Sequence, residues 1–370
     1  MILSLKQNIN NIPGWKTRRR IVVFESDDWG SVRMPSKNVY NELLKGGIKV
    51  NLCPYNKYDT LASRIDLEHL FNLLIQFKDK NGKNPIITGN VNVANPHFEK
   101  IKERNFEKYY FEPFTDTLKK YYPNDDVFEI WQESIKDKLF YPQLHGREHV
   151  NPIIWMNLLK NNHLAIKKAF DLEAYGLSMI TSNSIVLPHL ASLIYRNKNE
   201  KGIIEKSIIE GANLFENIFN FKSESFIAPL FTWSFELEDV LKEVGVKYIQ
   251  GGNSHKNYDV TKGKFVKLGR HFMGDRNKNG QIYLIRNSFF EPSLTNNYKI
   301  EDTLDNIERA FRWNKPAIIS VHRLNFIGEL SIKNRDNNLS HFNSLLKQML
   351  KKWPNIEFLT STELGSIISN

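Results

Sequence analysis

Three short stretches hold residue types that could do chemistry together. They are the adjacent carboxylates Asp27 and Asp28, the histidines His145 and His149 four residues apart, and the single histidine His322. A histidine pair at i, i+4 lies on one side of a turn or short helix, a spacing that metal sites use. Two imidazoles and one carboxylate make three ligands and leave a position for water on zinc or a similar divalent ion. Each stretch also has a plain structural reading. Two acids after an apolar run can form an Asx turn, ten histidines produce chance pairs, and a histidine behind an apolar run can be a satisfied core residue. What the three share is their setting, because each ends a predicted strand.

The elements that must position them follow from the apolar pattern. Ile21-Val22-Val23-Phe24 reads as a buried strand that ends on the two acids and Gly30. Side chains alternate along a strand, so Asp27 and Asp28 share a direction only if the strand ends there. Further strands are predicted at 85–91, 139–144, 225–229, 246–249, 266–268, 282–285, 317–322 and 356–359. Pro142 in the second of these suits an edge or irregular position. Helices are predicted from Met34-Pro35-Ser36 to Gly46, over 66–78, from the Asn151-Pro152 cap to about Phe170, near 200–220 and over 236–244. Strands alternating with helices predict an α/β fold with a parallel sheet. With no linker, repeat or composition shift, the expectation is one elaborated barrel over 1–370, its core about 20–362. Chemistry in such folds sits at the strand exits.

Composition narrows the partners. The 370 residues are 41% hydrophobic and 12% aromatic, enough for a sizeable core and unlike a disordered chain. Lys and Arg number 51 against 41 acids, a net +10, but they are spread out and no nucleic-acid motif accompanies them. The densest cluster, Lys16-Thr17-Arg18-Arg19-Arg20, reads as a solvated face or a peripheral contact with an anionic surface. One cysteine, Cys53, excludes an internal disulfide and a cysteine-type zinc site. Met1–Lys6 lacks the apolar core of a signal peptide and no run is long enough to span a membrane, so a cytoplasmic location is expected.

With these residues in order, the chain resembles the polysaccharide deacetylase family of metal-dependent carbohydrate esterases. Ser26-Asp27-Asp28-Trp29-Gly30 is similar to that family's Thr-Phe-Asp-Asp-Gly motif with an inserted tryptophan. His145-Gly146-Arg147-Glu148-His149 matches the spacing of its His-Ser/Thr-x-x-His motif, and Ser320-Val321-His322 matches Leu-x-His. The resemblance implies a distorted, incompletely closed (β/α) barrel that removes N- or O-acetyl groups from a sugar or glycan. It makes Asp27 the general base, Asp28, His145 and His149 the metal ligands, and His322 the general acid. The metal would polarise the carbonyl, with the Leu230 N–H as a second oxyanion donor.

The chain also departs from the family. Where the family has an Arg-x-Pro-Tyr motif, it reads Ile227-Ala228-Pro229-Leu230, so the arginine beside the catalytic acid is missing. The expected replacement is Arg323, with Arg147 second, and Trp233 is a candidate aromatic wall for the sugar. A glycoside hydrolase on a related barrel would need a second catalytic acid opposite Asp27. A non-catalytic glycan-binding relative has no need of all five motif residues.

Overall fold

Ten residues, Arg20–Trp29, form the strand β1 on which the other elements build. The structure, a computed structural model, describes residues 8, 10–178, 188–259, 262–295 and 297–370; the Met1–Lys6 reading falls outside them. Ile21, Val22, Val23 and Phe24 are fully buried. A run that is apolar on both faces suits a parallel sheet covered on both sides. The other strands are β2 (Ile87–Val91), β3 (Ala94–Pro96), β4 (Phe111–Pro113), β5 (Phe140–Leu144), β6 (Ser225–Phe226) and β7 (Tyr248–Gly251). They are followed by β8 (Ser254–Asp259), β9 (Lys264–Arg270), β10 (Ile282–Ile285), β11 (Ser288–Phe289), β12 (Ala317–His322) and β13 (Ile356–Phe358).

Among the described residues the main sheet has nine strands, in the order β10-β7-β6-β5-β2-β1-β12-β11 with β13 also on β1. Every one of its ladders is parallel. Its two end strands, β10 and β11, are separated only by Arg286 and Asn287. Arg286 N–H donates to Gly251 O of β7 (2.8 Å), and Asn287 N–H to Ile318 O of β12 (3.2 Å). The chain itself spans the gap where no ladder closes the sheet. The fold is therefore an α/β, incompletely closed, distorted (β/α) barrel, as expected.

The helices that cover it carry the predicted caps. Ser36 caps Lys37–Lys45, and Asn151 caps Pro152–Lys160 through the N–H groups of Ile153 and Ile154. The long helix predicted after Asn151 is instead two, broken at Asn161–His163 before Leu164–Asp171. Pro142 does not lie on an edge. Strand β5 pairs with β2 along its length but with β6 only at Leu144, so Pro142 has little ladder to interrupt. The predicted strand at 266–268 belongs to an antiparallel hairpin, β8–β9, outside the barrel. Among the described residues no helix is long and apolar enough to cross a membrane.

Candidate active site

The exit of β1 is where alternation is overcome. The ladder between β1 and β2 shifts register between Ser26 and Trp29, a bulge, and Asp28 adopts φ 74. A bulge re-aims one side chain relative to its neighbours, and here both adjacent acids face the same cavity. A non-glycine residue in the left-handed region costs on the order of 1 kcal/mol or more, so its surroundings must hold it. The inserted Trp29 does so: its indole N–H donates to Ser26 Oγ (2.9 Å) while the ring packs edge-on against Trp131 and Phe140. Gly30 follows at φ +80, where a Cβ would lie 2.4 Å from Asn92 O.

Asp28, His145 and His149 converge. Asp28 Oδ1 is 3.4 Å from His145 Nε2 and 3.2 Å from His149 Nε2, with all three side chains buried. The two histidines sit on an irregular loop after β5, not on a helical turn. His145 Nδ1–H donates to Ile227 O (2.9 Å), which leaves Nε2 as the ring nitrogen facing Asp28. Burial pushes His149 down to about 4 against the pull of Asp28, so this ring is neutral. Two ring nitrogens and a carboxylate oxygen pointing into one space need a cation between them. Ligands bound at 2.0–2.2 Å to a tetrahedral ion stand about 3.4 Å apart, so the donor set fits a divalent metal. On the far side Arg33 donates to Asp28 Oδ2 (3.1 Å). Burial would raise Asp28; Arg33 and the histidines hold it well below its ordinary value.

Asp27 is held differently. Arg286, from the gap in the barrel, donates through Nη1 to its Oδ2 (2.6 Å) and through Nη2 to its Oδ1 (2.7 Å). Asn90 adds a bond to Oδ1 (2.7 Å), and Arg286 Nε reaches Glu25 Oε2 (2.6 Å). Burial pushes Asp27 up, but the guanidinium overcomes it and keeps the carboxyl below its usual range. The cation expected from Arg323 or Arg147 thus comes from Arg286. Arg323 points away from the cavity to Asp59 (2.9 Å) and Ser31 O (2.9 Å). Arg147 pairs with Glu148 (2.6 Å) and Glu210 and lies over the Phe111 ring. Both arginines had buried acids nearer than Asp27.

His322 is the register partner of Asp27 on the adjacent strand β12, its Nε2 3.9 Å from Asp27 Oδ2. Its Nδ1 meets Glu291 Oε1 at 2.6 Å, and the Tyr55 hydroxyl lies 3.2 Å from Nε2. Burial lowers this histidine, but Glu291 and then Asp27 outweigh it and raise it to about 9. All five motif residues line one cavity of about 660 Å³, with Leu230 and Tyr55 in its wall. Leu230 follows Pro229 at φ 55 and is 44% exposed. Trp233 is not in that wall. It is buried, stacked on His255, and its N–H is taken by Glu238 (3.1 Å).

Arg286, Glu291, Asn90 and Tyr55 were not singled out in the sequence. Arg286 follows the apolar run 282–285, the same strand-exit signal that marked the motif residues. Glu291 lies on an irregular segment and Tyr55 in the short helix Pro54–Tyr58, neither with such a signal.

No family model and no curated protein matches the chain. Solved structures with a similar fold include a probable polysaccharide deacetylase from Pseudomonas aeruginosa PAO1, at 9% identity over 94% of this chain and 91% of that one, with a TM-score of 0.46. Another is a putative polysaccharide deacetylase from Mycobacterium smegmatis, at 9% identity, 96% and 92% coverage and a TM-score of 0.44. A third is the 4-alpha-glucanotransferase from Thermococcus litoralis, at 11% identity and a TM-score of 0.46 over 94% of this chain. The chain spans 40% of that protein's length.

Proposed function

We propose that the protein is a metal-dependent hydrolase that removes an acyl group, acetyl by preference, from the nitrogen or oxygen of a sugar or glycan. The observation that carries this reading is the pairing of Asp27 with His322 beside the Asp28–His145–His149 cluster, in one cavity. One group is held as a base and the other as an acid. The sugar is proposed from the motif resemblance.

A divalent ion held by Asp28, His145 and His149, zinc by preference, would supply polarisation of the acyl carbonyl and a more acidic water. Asp27 takes the proton from water as the oxygen attacks the carbonyl carbon. Its Oδ1 is occupied by Asn90 and Arg286 and its Oδ2 by one Arg286 bond, so the open lone pair is on Oδ2. Arg286 keeps it ionised. His322, held by Glu291, carries a proton at neutral pH and delivers it from Nε2 to the leaving nitrogen or oxygen as its bond to carbon breaks. Asp27 ends protonated and His322 neutral, and one proton exchange with solvent restores both. The glycoside-hydrolase alternative needs a second acid opposite Asp27, and among the described residues the carboxylates lining the cavity are Asp27 and its strand neighbour Asp28.

Incubating the purified protein with N- and O-acetylated saccharides, with and without a chelator, tests the reading by acetate release. The expected result is release that stops with chelation and returns with zinc. Cleavage of the glycosidic bond without acetate would contradict it.

A further inference from the structure

A second cavity, of about 670 Å³, adjoins the first and shares Leu230, Phe231 and Phe265 with it. Among the described residues its lining includes Lys256, Arg286 and Arg309 and contains no aspartate or glutamate. The Arg286 charge is answered by Glu25 and Asp27. Lys256 and Arg309 have no carboxylate within ion-pair distance among the described residues; Arg309 donates to the neutral Asn306. Two positive charges that line one concave surface without a counter-charge favour an anion there. Thr232, Asn253 and Ser254 add neutral donors and acceptors at the same wall. Phe265 and Phe289, 43% and 48% exposed, present aromatic surface to it. Aromatic faces beside amides and hydroxyls are the mixture that a sugar ring, apolar on its faces and polar at its edge, can satisfy.

We propose that this cavity is a second saccharide subsite that takes an anionic sugar unit, bearing a phosphate or a carboxylate, with Lys256 and Arg309 reading the charge. That this unit is joined to the one losing its acyl group rests on the deacylase reading; the anion preference does not.

The test uses the full chain and three probes: N-acetylglucosamine 1-phosphate, glucuronic acid and neutral N-acetylglucosamine. Binding is followed calorimetrically at low and high salt, in the wild type and in a Lys256→Gln/Arg309→Gln double variant whose melting temperature is checked first. The expected result is at least roughly tenfold tighter binding of one charged probe than of the neutral one. That preference weakens with salt and disappears in the double variant. Whether the phosphate or the carboxylate probe shows it identifies the group. Equal binding of charged and neutral probes, or a preference that survives in the double variant, overturns the subsite. If neutral acetylated saccharides release acetate while no charge preference is found, the subsite fails and the deacylase reading stands. If the double variant loses a real preference but no acylated saccharide releases acetate, the subsite stands and the reading fails.

Discussion

Replacing Glu291 with glutamine should move one limb of the pH–rate profile and leave the other in place. Glutamine has nearly the same shape and its Oε1 can still accept the Nδ1–H bond of His322, now 2.6 Å to the carboxylate. The charge is what changes. His322 stands at about 9 although burial pulls it down, and Glu291 is the largest influence pushing it up. Against an ordinary histidine near 6.5, that rise corresponds to roughly 3 kcal/mol of preference for the protonated ring. A fall of about two units on losing the charge would cut the protonated fraction about tenfold at pH 8 and hardly at all at pH 6. The assay is kcat/KM for acetate release from pH 5 to 10, with the His322 ring followed by NMR. A bound cation repels His322 in both proteins alike, so the difference between them survives. Stability should change in the same sense. A histidine raised in the folded state contributes fully below about 6.5 and loses its contribution as pH rises through about 9. The variant should therefore lose less stability than the wild type between pH 6 and 10. An unmoved basic limb, with His322 titrating at the same pH in both proteins, refutes the role given to Glu291.

Three other outcomes follow from the buried charges. Arg286→Met leaves Glu25 and Asp27 buried without their cation, which should cost about 3–5 kcal/mol in denaturant unfolding; any activity left should show its acidic limb at higher pH, because Asp27 is no longer held down. Arg323→Met removes one of the two arginines at Asp59 and leaves Arg33 3.2 Å away, so it should destabilise by less than Arg286→Met, and its acidic limb should stay where it is. His149→Ala should lower bound zinc measured by elemental analysis at least roughly tenfold while the far-UV circular dichroism is retained.

The motif residues were legible because strand exits are a local signal: an apolar run, then a polar side chain of the right type. Parallel neighbours then bring such exits to one rim, as Asp27 and His322 show by sharing a register position. The bulge was not legible. Alternation forbids two adjacent acids on one face, and the φ of 74 at Asp28 that permits it depends on Trp29 finding Trp131 and Phe140. Arg323 and Arg147 stand out in the sequence as replacement cations because each adjoins a motif histidine. Sequence adjacency says nothing of which buried acid lies nearer, and Asp59 comes from a loop 264 residues away. Arg286 sits between the end strands β10 and β11, where the barrel fails to close, a feature of the whole sheet that no single strand records. Trp233 was drawn into the core by His255 and Glu238, partners from other segments.

In the proposed mechanism Asp27 moves the proton while Asp28, His145 and His149 hold the metal. Asp27→Asn keeps the Oδ1 acceptor that Asn90 and Arg286 Nη2 approach, puts an NH2 group where Oδ2 faced Arg286 Nη1, and removes the base. Measuring bound zinc and acetate release on the same sample of this variant separates the two roles. The expected result is zinc at wild-type stoichiometry and acetate release at least roughly a hundredfold slower. Acetate release at the wild-type rate, or loss of zinc together with activity, would contradict it.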